Sequence, residues 1–177
     1  GCVYFAAEML TTRNIRLEGQ TCLLSGSGNV AQHTAEKLLE LGAKVITLSD
    51  SSGYIYDAGG IDRDKLAYVK HLKNIRRGRI KDYAEKYPSA VYTEADYSLD
   101  YNPLWGHRAV CAFPCATQNE INEKDAYNLI NNNIKLVCEA ASMPCLPEAV
   151  DIFLERNVLF ALGKAANAGG VAVSGLE

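Results

Sequence analysis

Thr21-Cys-Leu-Leu-Ser-Gly-Ser-Gly-Asn-Val-Ala31 is the stretch that decides how this chain folds. Residues 21–25 form a short apolar run, which reads as a buried strand ending at Gly26. A helical pattern follows at once: Ala31, Ala35, Leu38, Leu39 and Leu41 share one side, and Gly42 stands where a helix ends. Residues 44–49, Lys-Val-Ile-Thr-Leu-Ser, read as the next strand. Strand, turn, helix and strand make a unit of the length that a parallel crossover requires. Within the turn, the spacing Gly26-x-Gly28-x-x-Ala31 has a physical logic. Gly26 permits a tight bend, Gly28 leaves the backbone open to close approach, and Ala31 is small enough for the helix to pack against the strand. The unpaired N–H groups at the helix start then suit a pyrophosphate.

The same alternation continues along the 177 residues. Before the unit, residues 2–12 read as a helix. After it, residues 54–56 lie between two Gly-containing turns, as a short hairpin or an edge strand. Residues 62–75 and 79–86 read as helices and residues 90–93 as a strand. Then come strand 109–113, helix 122–130 with Asn122 as N-cap, strand 135–138, helix 147–155 with Pro147 in its first turn, and strand 158–161. A last helix is expected from Ala168 onward. Continuous apolar strands separated by helices predict an α/β fold: a three-layer, Rossmann-like arrangement with a mostly parallel sheet and helices on both faces.

Composition narrows the class. Hydrophobic residues make up 48% and charged residues 22%, which is globular and not disordered. The formal charge of -3 argues against an overall polybasic partner for nucleic acid, and no apolar run is long enough to span a membrane. The basic cluster Arg76, Arg77, Arg79 and Lys81 lacks the interleaved aromatic residues of a single-strand binder. The six cysteines form no CxxC pair and lie far from the three histidines, so no zinc site is expected. They read as reduced thiols of a cytoplasmic protein. The sequence opens at Gly1 without Met, and residues 173–177 read as an apolar helical face cut short. A single domain, 1–177, taken from a longer protein is the expectation.

Asp50 ends the second strand of the unit, where an acidic residue meets the adenosine ribose of a dinucleotide. Taken alone it favours NAD, because its charge repels a 2′-phosphate. Ser51 and Ser52 follow it, and small hydroxyl donors suit a phosphate. Lys73 and Arg76, three residues apart on an expected helix, share a face. From spacing alone, that pair reads first as a solvated helix face, and only second as the partner of a 2′-phosphate.

Four blocks carry a family resemblance: Gly26-Ser-Gly-Asn-Val-Ala31, Pro114-Cys-Ala-Thr-Gln-Asn-Glu120, Met143-Pro144, and Gly163-Lys-Ala-Ala-Asn-Ala-Gly-Gly-Val-Ala-Val-Ser-Gly-Leu-Glu177. Over essentially its whole length the chain resembles the nucleotide-binding domain of the glutamate dehydrogenases. The resemblance implies a dinucleotide fold with one antiparallel strand, and an NAD(P)-dependent interconversion of L-glutamate with 2-oxoglutarate and ammonia by a homohexamer. It implies cofactor contacts at Gly26, Ser27, Gly28, Asn29, Val30, Asp50, Ser51, Lys73, Arg76, Ala116, Thr117, Gln118, Asn119, Ser142 and Asn167. Val171 and Ser174 match the substrate's side-chain pocket. Positive side chains at Lys73 and Arg76 move the expected cofactor to NADP ahead of NAD.

The match has departures. Glu139-Ala-Ala-Ser-Met-Pro144 carries Ala140 and Ser142 where the family usually has glycine and asparagine, and Leu162 replaces a common proline. Ser142 lacks the paired donor and acceptor of an amide. The family's catalytic lysine and aspartate lie in a domain that precedes this one, and no lysine here falls in a matching motif. No catalytic residue is expected in this chain, nor turnover by the chain alone. The alternative is a stand-alone NAD(P)-binding module that senses redox ratio. Such a module has no need of Asn167, Val171 and Ser174 at substrate-pocket spacing.

Overall fold

The computed structural model describes residues 1–163. Five strands build a parallel sheet: β1 (Thr21–Leu24), β2 (Lys44–Val45), β6 (Cys111–Phe113), β7 (Leu136–Cys138) and β8 (Leu159–Ala161), in the order β2-β1-β6-β7-β8. Three more form a second sheet in the order β3-β4-β5: β3 (Thr47–Asp50), β4 (Gly53–Tyr56) and β5 (Val91–Glu94). The expected strand 44–49 is thus divided at Ile46, whose N–H donates to the Cys22 carbonyl while its own carbonyl accepts from Asp57. One residue therefore passes the chain from one sheet to the other without changing direction. β4 pairs antiparallel with both β3 and β5, and it is the strand that runs against the rest. Residues 54–56 are accordingly central in the second sheet and not at its edge.

Alternation along the parallel strands sorts two cores. Cys22, Leu24, Cys111, Phe113, Leu136, Cys138, Leu159 and Ala161 face one side, against α1 (Cys2–Thr11) and α2 (Asn29–Glu40). Leu23, Ala112, Val137 and Phe160 face the other, against α5 (Glu123–Asn131) and α6 (Pro147–Glu155). Every residue of β6, β7 and β8 is buried, as a sheet covered on both faces requires. Trp105, in the short 3-10 turn Pro103–Gly106, is completely buried in the second core.

Local signals place the helices. Asp62 caps α3 (Arg63–Asn74) by accepting from the Lys65 N–H, and Asn122 and Asp125 form a reciprocal capping box on α5. α4 (Lys81–Lys86) is a short helix whose Tyr83 is buried against the second sheet's core. There Tyr83 donates to Asp57 at 2.6 Å, and Lys65 reaches the same carboxylate oxygen at 2.9 Å.

Candidate functional site

All five parallel strands point their C-terminal ends at one edge, and the site is built there. The strand order reverses between β1 and β6: the chain leaves β1 toward β2 and later returns on the other side at β6. Ligands of open α/β sheets sit in the crevice at such a switch point. Gly26 occupies it with φ +81, and a Cβ there would press on the Cys115 carbonyl at 3.1 Å and the Ala116 Cα at 3.3 Å. Only glycine lets the turn after β1 lie this close to the loop after β6. The turn is pinned on two more sides: the Gly26 N–H donates to Ser49 Oγ at 2.7 Å, and Ser25 Oγ accepts from the Cys115 N–H at 2.9 Å.

Gly28 is the N-cap of α2, and a Cβ there would meet nothing within 4 Å. No side chain caps this helix start, so its first N–H groups face the crevice with their partial positive charge. Ser27 is buried, whereas Asn29 and Val30 are exposed at the mouth. Gln32 Nε2 donates to the Ser27 carbonyl at 2.8 Å, and the Gln32 and Asn74 amides exchange two further hydrogen bonds. That amide pair ties the turn to α3. An uncapped helix start, an open Gly28 and a tight Gly26 fit a pyrophosphate.

Asp50 lies at the end of β3 and is heavily engaged. Its Oδ1 accepts from the Ser52 backbone N–H at 2.9 Å and from the Ser52 hydroxyl. Its Oδ2 accepts from Lys73 Nζ at 3.0 Å and from the Ile80 N–H at 2.7 Å. Burial acts to raise this carboxyl, but the bonds from Ser52, Ile80 and Lys73 outweigh it and hold the group below its ordinary value. Lys73 also donates to the Gly78 carbonyl at 2.9 Å.

Arg76 sits elsewhere than the expected helix face predicts. α3 ends at Asn74, and Arg77 takes φ 56, so the chain turns away. Arg76 lies 3.9 Å from Asp82, half-exposed, and Arg79 returns to donate to Ser51 Oγ at 3.2 Å. Arg79 is therefore the cation in contact with Ser51, a position that helical spacing did not single out. Tyr97, 81% exposed, donates its hydroxyl to the Ser51 carbonyl. No sequence signal marks that tyrosine.

The other blocks gather on the opposite side of the turn. Ala116, Thr117, Gln118 and Asn119 form the exposed loop after β6. The Ala116 and Thr117 N–H groups donate to Glu120 Oε2 at 2.9 and 3.2 Å, while burial pushes the Glu120 carboxyl up. The Asn119 N–H donates to the Met143 carbonyl, and the Ile121 N–H to the Pro144 carbonyl, so this loop and the one carrying exposed Ser142 are backbone-paired. Buried Glu139 accepts from the Cys145 N–H at 3.1 Å and from the Gly163 N–H at 3.0 Å, which brings the end of the described chain to the same edge. Asn167, Val171, Ser174 and the expected helix from Ala168 lie outside the described residues.

Two cavities flank the turn. One of about 180 Å³ is lined by Ser49, Asp50, Tyr54, Thr93, Tyr97 and Tyr101. The other, of about 380 Å³, lies between α1 and α2 and is lined by Cys2, Asn29, Val30, His33 and Ala140 among others. Among the described residues no cluster of metal-ligating side chains occurs, and no helix is long and apolar enough to cross a membrane.

The layered sheet and the glycine turn at its switch point define a Rossmann-like α/β domain. The chain belongs to the Glutamate/Leucine/Phenylalanine/Valine dehydrogenase family, whose model matches residues 1–177. It is 56% identical over its full length to an NAD(P)-specific glutamate dehydrogenase of Xylanibacter ruminicola, and 45% identical to an NAD-specific glutamate dehydrogenase of Bacteroides fragilis. It spans 38% of the length of each of these relatives. The crystal structure of Plasmodium falciparum glutamate dehydrogenase superimposes with a TM-score of 0.87 at 44% identity, covering 99% of this chain and 36% of that one.

Proposed function

We propose that this chain is the cofactor-binding domain of an NADP-dependent glutamate dehydrogenase. In the whole protein it would serve the interconversion of L-glutamate with 2-oxoglutarate and ammonia. We place that protein in the cytoplasm as a homohexamer without nucleic-acid or membrane partners. The chain, 1–177, contributes no catalytic acid or base, and alone it does not turn over glutamate. The bound nicotinamide supplies the hydride acceptor and donor. This chain's part is to hold the dinucleotide.

In this reading the α2 start, with Gly26, Ser27, Gly28, Asn29 and Val30, receives the pyrophosphate. Ser51, Lys73 and Arg79 receive the 2′-phosphate, with Arg76 adding positive potential from beside Asp82. Ala116, Thr117, Gln118, Asn119 and Ser142 border the nicotinamide half, together with Asn167. Val171 and Ser174 face the substrate. The observation that carries the choice of NADP is the state of Asp50. Four donors already occupy its two oxygens, so it has no free lone pair for ribose hydroxyls. Lys73 offsets its charge and so weakens the repulsion of a 2′-phosphate, which leaves Arg79 as the cation that supplies net positive charge there.

A side-by-side titration of the chain with NADPH and NADH tests this. NADPH is expected to bind tighter, with an advantage that shrinks as salt rises. Replacing Arg79 by Ser is expected to cost roughly 10- to 100-fold in NADPH affinity, the worth of one charge-assisted phosphate contact, and to leave NADH unchanged. Equal affinities in the unmodified chain would return Asp50 to the role of ribose anchor.

A further inference from the structure

We infer that Cys2 and Cys138 form a thiol–disulfide exchange site, at which a low-molecular-weight disulfide such as oxidised glutathione converts the pair to an intramolecular disulfide joining α1 to β7. The two sulfurs lie 3.4 Å apart, although 136 residues separate them in the chain. Cys138 is the last residue of β7 and is fully buried. Cys2 is the first residue of α1, is not buried, and lines the cavity between α1 and α2, which gives a reagent its route. The pair therefore has the division of labour that exchange chemistry needs: one half-buried sulfur beside a cavity to attack, and one buried sulfur in contact to resolve.

The remaining thiols show why this pair is singled out. Cys22 and Cys111 are register partners on β1 and β6, but both are fully buried. Cys115 and Cys145 are buried too. The hydrogen bond from Cys138 lowers the Cys2 thiol against the opposing effect of burial, while the same bond and burial push Cys138 up. The thiolate that attacks is thus the one that solvent can reach.

The steps balance. The Cys2 thiolate attacks one sulfur of the small disulfide, forming a mixed disulfide and releasing one thiolate. Cys138 gives its proton to that thiolate, and its sulfur attacks the Cys2 sulfur. The second small thiolate then leaves and takes a proton from solvent. Two electrons pass from the protein dithiol to the reagent, which ends as two thiols. Closing the bond brings the sulfurs from 3.4 Å to about 2.05 Å. Because the loop closed is long, the oxidised chain is expected to melt higher than the reduced one.

The test is to incubate the full chain with oxidised glutathione, quench with acid and map the peptides by mass spectrometry. The unmodified chain is expected to yield a Cys2–Cys138 cross-linked peptide and no lasting glutathione adduct. Cys138→Ser, and Cys138→Ala as a second variant in case the first does not fold, should stop at an adduct on Cys2. Cys2→Ser should leave Cys138 untouched. A lasting adduct on Cys2 in the unmodified chain overturns the inference, as does a cross-link between other cysteines or a Cys2 that reacts no faster than Cys22. Melting the unmodified chain with and without reductant gives a readout that needs no variant, and an unchanged melting temperature after oxidation counts against the link.

Discussion

The two sheets are held by different means. The parallel sheet is a sandwich of apolar strands, and the residues of β6, β7 and β8 sit between two hydrophobic layers with no charged side chain among them. The β3-β4-β5 sheet is buried on both faces at β3 and β4, with Leu48 and Ile55 in one core and Tyr54 in the other, and opens to solvent at β5. Both end residues of β5 are exposed and its middle two are half-buried. What this sheet has beside its apolar contacts is a pair of engaged carboxylates: Asp57 receives Tyr83 and Lys65, and Asp50 receives Ser52, Lys73 and Ile80. The first sheet tolerates changes of shape within its apolar volume. The second depends on particular atoms being present, and the elements that meet the 2′-phosphate in the proposed reading are assembled on it.

That contrast breaks most visibly at Asp57. Asp57→Ala leaves the buried Tyr83 hydroxyl and the Lys65 ammonium without their acceptor, and it should cost roughly 3–5 kcal/mol. Thermal melting should show a fall of roughly 6–20 °C, whereas an Ala112→Ser change in the parallel sheet, burying one hydroxyl, should cost only about 1–3 kcal/mol. A loss at Asp57 no greater than at Ala112 would remove the distinction between the sheets.

The next test compares two glycines of one turn. Gly26→Ala forces a side chain into φ +81 against the Cys115 carbonyl and should destabilise the chain by roughly 1–3 kcal/mol. Gly28→Ala enters open space, so it should change stability by less than about 1 kcal/mol while abolishing most nucleotide binding. Denaturant midpoints and a nucleotide titration on both variants separate the two roles. Equal stability losses would show that the space before Gly28 is not kept for a ligand.

The smallest effect is read as a pH response. Asp50 is held below its ordinary value, so its contribution to stability is complete above about pH 4 and is lost as pH falls through its lowered value. Asp50→Asn should flatten this acid limb of the stability curve and lower stability at neutral pH by the contribution it removes. An acid limb of the same steepness in the variant would mean that other carboxylates set it.

Much of the parallel sheet was legible in the sequence, because strands buried on both faces write themselves as continuous apolar runs and the helix caps are local. Asn122 and Asp62 cap where the sequence placed helix starts. The division at Ile46 was not legible: residues 44–49 are uniformly strand-like, and only pairing partners distant in sequence decide which sheet each half joins. The central position of β4 escaped for the same reason. Around the turn, the tight bend at Gly26 and the open helix start at Gly28 could be read from spacing, since each serves a backbone geometry, whereas the four donors on Asp50 could not. Nor could Arg79. Helical periodicity extended α3 past its true end at Asn74 and credited Arg76 with a face that the positive φ of Arg77 takes away. The Cys2–Cys138 contact joins residues with no local relation at all.

The order of elements has a practical corollary for redesign. Asp50, Ser51, Lys73, Arg79 and Tyr97 all fall in one uninterrupted stretch of chain between β3 and the turn before β6, while the glycine turn lies wholly before it. In the proposed reading, nucleotide preference on this scaffold is thereby packaged as a transplantable cassette. The graft junctions lie in the sheet seam at Ile46 and in the loop after β5, and the interlocked amides of Gln32 and Asn74 are the fitting that donor and recipient must share.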